Sequence, residues 1–181
     1  MSTWSASAFV RQLADARIGS TFNFYRDGAG ASLRRERLTE YLESRRRAGV
    51  LLVGEAAGYR GARVSGLPFT SERQLTGTGP AEASATIVHR VLAALGIEEE
   101  VLLWNVVPTH PHRSGVPNSN RPPTLAEAAS GLAFAEELTV GRRVLAVGRV
   151  AERALGSPYV RHPSRGGAEE FRAGLMELLN A

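Results

Sequence analysis

The side chains able to do chemistry fall in short segments that each follow an apolar run. The first is Gly54-Glu55-Ala56-Ala57-Gly58-Tyr59-Arg60-Gly61, a carboxylate set among residues small enough to let a ligand approach the backbone. Glu55 is the first carboxylate beyond the apolar run. The other reading, a glycine-rich phosphate loop, lacks both the Walker and the GxGxxG spacing. The segment continues through Ser65-Gly66-Leu67-Pro68-Phe69-Thr70-Ser71, where Phe69 is either plain core or a platform for stacking. After the second run comes Asn105, whose amide both donates and accepts. It suits the Watson–Crick edge of a base, or equally a cap on the loop backbone. His110 and His112 form an H-x-H pair with no third ligand evident, so a solvated proline-rich loop is expected there and no metal site. After the third run, Gly148-Arg149 is a tight turn into a helix whose N-terminus favours an anion. After the fourth, His162-Pro163-Ser164-Arg165-Gly166-Gly167-Ala168 opens another helix, an economical phosphate or oxyanion site. An isolated histidine is more often structural, the role expected of His89 within a helix.

Strands and helices must alternate to hold these segments together. Val50–Val53, Val101–Trp104 and Val144–Val147 are continuous apolar runs, as expected of strands buried on both faces, and 158–161 is a weaker fourth. Helical patterns lie near 82–95, 125–138, 150–155 and 168–179, and Pro123 before Thr124 and Glu127 reads as a capping box. This alternation predicts a three-layer α/β/α sandwich around a four-stranded parallel sheet, with the functional loops beyond the strand C-termini. Two amphipathic helices, 5–18 and 31–48, precede it and are expected to pack on the core within one domain, 1–181. The second turns Leu33, Leu38, Tyr41 and Leu42 inward and presents Arg34, Arg35 and the run Arg45 to Arg47 as a solvated face.

Composition narrows the class. The chain has 181 residues, no cysteine, and 22 basic residues that are all arginine. Disulfides, thiolate catalysis and cysteine-held zinc or iron–sulfur sites are therefore excluded. No apolar run approaches the roughly 20 residues a bilayer span needs, and no leader or cleavage motif is evident, so a cytoplasmic protein with no membrane partner is expected. The arginine bias follows from a GC-rich genome or from use against phosphates.

Taken together, the four segments resemble the uracil-DNA glycosylase superfamily, from about Val50 to Leu175. Gly54-Glu55-Ala56-Ala57-Gly58 is similar to the family's Gly-Gln-Asp-Pro-Tyr and Gly-Glu-Ala-Pro-Gly motifs, Phe69 to its stacking phenylalanine, Asn105 to its base-reading asparagine, and His162-Pro163-Ser164 to its final motif. The resemblance implies catalysis by Glu55, Asn105 and His162, with a base held by Gly54, Ala56, Gly58, Phe69 and Asn105. It implies contacts to DNA from Ser71, Arg121, Ser164, Arg165 and Gly166. The implied activity is hydrolysis of the N-glycosidic bond of uracil in DNA, with no cofactor or metal, by a bacterial monomer.

The chain departs from the family's best-known branch at several positions. Ala56 stands where that branch has its water-activating aspartate; the resemblance to the iron–sulfur branch implies that Glu55 orients the water or balances the sugar's positive charge. Gly58 stands where a tyrosine excludes the thymine methyl, so a pocket for a larger base is expected. Gly166 stands where a leucine wedges the stack, leaving Arg165 to fill it. These departures keep three further readings open: excision of hypoxanthine, xanthine or a 5-substituted uracil; recognition of damaged DNA without cutting; or an α/β nucleotide-binding domain unrelated to DNA.

Overall fold

The computed structural model describes residues 4–181; the first three positions of the expected 1–181 span lie outside the described residues. In chain order the elements are α1 (Ala6–Asp15), α2 (Ala31–Ser44), β1 (Val50–Ala56), α3 (Ala62–Ser65), α4 (Glu72–Thr76), α5 (Ala83–Leu95), β2 (Val101–Val107), α6 (Leu125–Thr139), β3 (Arg143–Val147), α7 (Arg149–Leu155), β4 (Tyr159–Val160) and α8 (Ala168–Asn180). The strands lie in the order β2-β1-β3-β4 and every pairing is parallel.

Side chains alternate across each strand, and here both faces are apolar. Leu51, Val53, Leu102, Trp104 and Ala146 face one way and pack with Phe9 and Leu13 of α1, Leu38 and Leu42 of α2, Leu138 of α6 and Ala151 of α7. Leu52, Val101, Leu103, Leu145 and Val147 face the other way, against Val88 and Leu92 of α5 and Phe171 and Leu175 of α8. The result is the expected α/β/α sandwich, with α1 and α2 buried in the first of these clusters. The capping box forms: Glu127 N–H donates to Thr124 Oγ1 (3.1 Å) and Thr124 N–H to Glu127 Oε2 (2.9 Å).

The structure corrects several boundaries. β1 and β2 run past Val53 and Trp104, because the ladder continues through the Gly54–Asn105 and Ala56–Val107 pairs. Gly54, Glu55, Ala56 and Asn105 are therefore strand residues, which holds them more rigidly than a loop would. β4 is only two residues long. α2 stops at Ser44, so Arg45 to Arg47 lie in a turn and not on a helix face, and Arg45 is tied to Glu99 at 2.9 Å. Arg34 and Arg35 turn back on the chain, donating to the Phe24 and Tyr25 carbonyls (2.6 Å each). Leu33 is 47% exposed: at about 100° per residue it points far from the face of Ala31, Leu38 and Leu42.

Candidate active site

β1 and β3 are neighbours in the sheet, yet the chain leaves β1 toward β2 on one side and returns to β3 on the other. At that switch the carboxyl ends of the strands cannot be covered by one crossover, and a crevice opens. Here it is a cleft of about 600 Å³, and all four strand ends reach it. β1 supplies Glu55, Ala56, Ala57 and Gly58; β2 supplies Asn105; Val147 to Val150 follow from β3, and Arg161, His162, Ser164 and Arg165 from β4.

The floor depends on a close approach. The Phe69 ring lies directly on Gly54: a methyl group there would sit 2.7 Å from Phe69 Cε2, closer still to Cζ, and 2.9 Å from Asn105 Oδ1. Phe69 itself has φ +50°, a strained left-handed backbone that a bulky residue rarely adopts. Its ring belongs to the apolar cluster under α5 and also borders the cleft, so the two sequence readings of Phe69 hold together. Asn105, 4% exposed, opens its amide toward the same space without a protein partner among the described residues.

His162 stands across from the ring, with centroids 6.5 Å apart and planes tilted by 36°. Its neighbours determine its proton. The Ser164 backbone N–H donates to His162 Nδ1 (3.1 Å), so Nδ1 carries no proton; the Ser164 hydroxyl, 2.8 Å away, donates to the same atom. The neutral ring therefore bears its hydrogen on Nε2. Burial, with the nearby Arg161 charge, holds the His162 pKa below its ordinary value and keeps this form in place at neutral pH.

Glu55 is half-buried, and desolvation raises its pKa while Arg153 opposes the shift. A second carboxylate enters the cleft from Glu82, just before α5, a residue the sequence patterns passed over as a helix start. It occupies the space above Gly58 that sequence reasoning assigned to a larger base: a methyl at Gly58 would lie 3.2 Å from Glu82 Cδ and closer to Oε1. Only the fold brings it there, since no period or motif links position 82 to the first strand end.

Other expected residues lie elsewhere. Ser71 is fully buried and caps α4 through Gln74, away from the cleft. Arg121 borders the cleft, but its guanidinium donates to both Glu127 oxygens (2.7 Å each), to His112 O (2.9 Å) and to Ser20 Oγ (3.1 Å), which leaves it little to offer a phosphate. Arg165 is exposed at φ +53°, its side chain held out at the cleft edge, with Gly166 beside it at φ +78°. His110 corrects the expected solvated loop: it is fully buried, and its Nδ1–H donates to Ala57 O (2.8 Å), pinning the first strand-end loop to the second. His89 bonds Thr70 Oγ1 at 3.0 Å, a structural role. Among the described residues no three His, Asp or Glu side chains gather as metal ligands, and no helix is long and apolar enough to cross a membrane.

The crystal structure of wild-type Pedobacter heparinus SMUG2 shares the fold, with a TM-score of 0.67 over 99% of this chain and 100% of that one, at 13% sequence identity. No curated protein matches the chain in sequence. The family model of the uracil DNA glycosylase superfamily matches residues 43–178, a span that contains every strand and all the residues that meet in the cleft. By that match this chain belongs to the uracil DNA glycosylase superfamily, a family of DNA glycosylases.

Proposed function

We propose that this protein is a monofunctional glycosylase that hydrolyses the N-glycosidic bond of uracil in DNA and leaves an abasic site. The observation that carries the reading is the neutral His162, with Nε2–H as its one free donor, facing Phe69 and the unpartnered amide of Asn105. A uracil turned out of the helix, at a cost of about a few kcal/mol, stacks on Phe69 while Asn105 pairs with its amide edge. His162 Nε2–H donates to the carbonyl oxygen on which negative charge grows. As the C1′–N bond breaks, its electron pair leaves with the base, and the sugar becomes oxocarbenium-like. Glu55 balances that positive charge and takes a proton from the water that adds to C1′. A neutral donor in a half-dry cleft needs no proton transfer to act, and one such donor is worth roughly 100- to 1000-fold in rate.

Arginines suit the partner. Arg165 borders the cleft, and a groove of about 550 Å³ that begins at Tyr59, next to the cleft's Gly58, is lined by Arg60, Arg63 and Arg73, whereas Arg149 at the cleft is engaged by Glu152 and Tyr159. Such a track supports phosphate contacts on either side of a flipped nucleotide.

The test is alkaline cleavage of end-labelled oligonucleotides carrying uracil, hypoxanthine or xanthine, in EDTA. Cleavage at uracil, lost in His162→Ala and Asn105→Asp, is the expected result. Cleavage confined to a purine lesion overturns the choice of base. Lesion-specific binding with no alkali-labile site overturns the hydrolase reading.

A further inference from the structure

The family model begins at residue 43, so most of the N-terminal segment, through nearly all of α2, lies outside it, and none of those residues lines the cleft. Packing against the sheet accounts for Phe9, Leu13, Leu38 and Leu42. It does not account for Tyr25 and Arg37, whose polar atoms are spent on one turn, residues 65–72, the turn that carries Phe69. The hydroxyl of Tyr25, a residue 1% exposed, donates to the buried Gly66 carbonyl (2.9 Å). Burial pushes its pKa up, so the phenol keeps its proton and stays a donor. Arg37 grips the turn at both ends: Nη1 donates to Ser65 O (3.1 Å), and the guanidinium pairs with both Glu72 oxygens (2.8 and 3.0 Å). Between these contacts Gly66, at φ +84°, lies directly on α2, where a methyl group would stand 2.8 Å from Arg34 Cα.

The turn needs such fastening. Leu67 belongs to the apolar cluster of α1 and α2, and Phe69 to the cluster of α5 and α8, so the chain changes faces of the sheet within three residues. It does so with Phe69 at φ +50°, a backbone state that persists only where its surroundings over-determine it. On the other side Ser65 Oγ donates to Thr70 O (2.6 Å), and the His89 ring on α5 bonds Thr70 Oγ1 (3.0 Å). The turn is therefore fastened to α5 by one side chain and to the N-terminal segment by two. Loosening the second fastening lets the strained backbone relax, and the ring it carries then leaves its place opposite His162.

Resting on the glycosylase reading, we propose that Tyr25 and Arg37 are positioning residues. Through Gly66, Ser65 and Glu72 they hold the Phe69 ring where a base stacks on it, so the N-terminal segment acts on base binding without touching the base.

The experiment uses Tyr25→Phe, which keeps the buried ring and removes only the hydroxyl. Arg37→Ala, at a partly exposed position, is the second variant and carries the test if the first does not fold. Each is made alone and in a Phe69→Ala background, with melting temperatures recorded. Single-turnover excision of uracil is measured. Binding of the same duplex, made with a 2′-fluorinated nucleotide that resists hydrolysis, is compared with binding of an undamaged duplex. Each variant should lose about 3- to 10-fold in excision and in lesion preference, the effect of a hydrogen bond or two, with binding of the undamaged duplex unchanged. In the Phe69→Ala background the same substitutions should cost nothing further in either readout, although they still lower the melting temperature. A lowered melting temperature with excision and lesion preference intact, or an equal loss in both backgrounds, overturns the inference. If no base is excised but the lesion preference falls as described, the hydrolase reading fails and this one stands. A wild type that neither excises nor prefers the lesion overturns both.

Discussion

Gly54→Ala is the sharpest test of how the cleft is built, because it adds one methyl group and removes no functional atom. Gly54 pairs with Asn105 across β1 and β2, and its absent side chain is what lets the Phe69 ring lie on the strand. An added Cβ would stand 2.7 Å from Phe69 Cε2 and 2.9 Å from Asn105 Oδ1. Carbon atoms in comfortable contact are about 3.5–4.0 Å apart, so the ring must retreat by about 1 Å or more. It has little room to do so: Phe69 is 8% exposed and packed among the side chains beneath α5. Overpacking of this kind costs about 1–3 kcal/mol of stability. A misplacement of about 1 Å at a reacting site costs on the order of 100-fold in rate.

The assay is single-turnover excision of uracil with enzyme in excess, which isolates the chemical step, alongside thermal melting. Excision should fall by about 100-fold while the protein stays folded. In a Phe69→Leu background the same substitution should cost less, since the ring atoms it strikes are gone and only the Asn105 Oδ1 contact remains. Activity within about threefold of wild type at an unchanged melting temperature would refute the claim that the Gly54–Phe69 approach positions the base.

Arg161→Gln should move the acid limb of the excision profile to higher pH: removing that cation lets the His162 pKa rise toward its ordinary value, and the imidazolium cannot accept the Ser164 N–H. Measured rates from pH 4 to 8, a range chosen to bracket about 6.5, should show this shift and leave the plateau unchanged. Glu127→Ala should cost about 1–3 kcal/mol in urea unfolding at neutral pH, because it removes the cap of α6 and the partner of Arg121 and frees the Ser20 and Thr124 N–H groups, which solvent can reach. Arg121 and these N–H groups hold the Glu127 pKa down to about 2, so the wild type keeps this contribution above about pH 4.5 and loses it as pH falls toward about 2. Arg165→Ala should lessen the salt dependence of DNA binding by about one counterion in a log–log plot, a change absent if its side chain stays clear of phosphate.

Much of this arrangement was legible in the residues. Buried parallel strands are continuous apolar runs, so Val50, Val101 and Val144 marked the sheet, and the rule that sites lie beyond strand C-termini then pointed to Glu55, Asn105, Gly148 and His162. What escaped was set by contacts distant in sequence. Ser71 and Arg121 carry the right side chains for a phosphate, but one is consumed by Gln74 and the other by Glu127 and Ser20, partners that no local pattern reveals. His110 reads as solvated among prolines because its carbonyl partner, Ala57, is 53 positions away. Gly58 reads as vacant space for the complementary reason: the group that fills it arrives from Glu82, at the far end of a loop containing two short helices.

The distribution of unpaired polarity gives the cleft its meaning. Most of the molecule satisfies its buried groups with care; Asn23 alone donates to the carbonyls of Leu13, Ala14 and Ala16. Among the described residues the fully enclosed polar side-chain atoms without a partner are Arg45 Nε and Trp104 Nε1, and neither lines the cleft. Around the cleft the pattern reverses. Among the described residues the Asn105, Glu55 and Glu82 side chains make no hydrogen bond and open into the cleft, and His162 spends Nδ1 on the chain while keeping Nε2–H free. Open to the cleft, these groups keep solvent as a partner until a ligand displaces it, so a ligand that offers hydrogen bonds in its place is favoured over one that does not. The strand pairing that joins Gly54 to Asn105 fixes where the Asn105 amide stands in the cleft. A cleft so disposed gains most when a flat, polar ring enters it, and that gain is what can draw a base out of its stack.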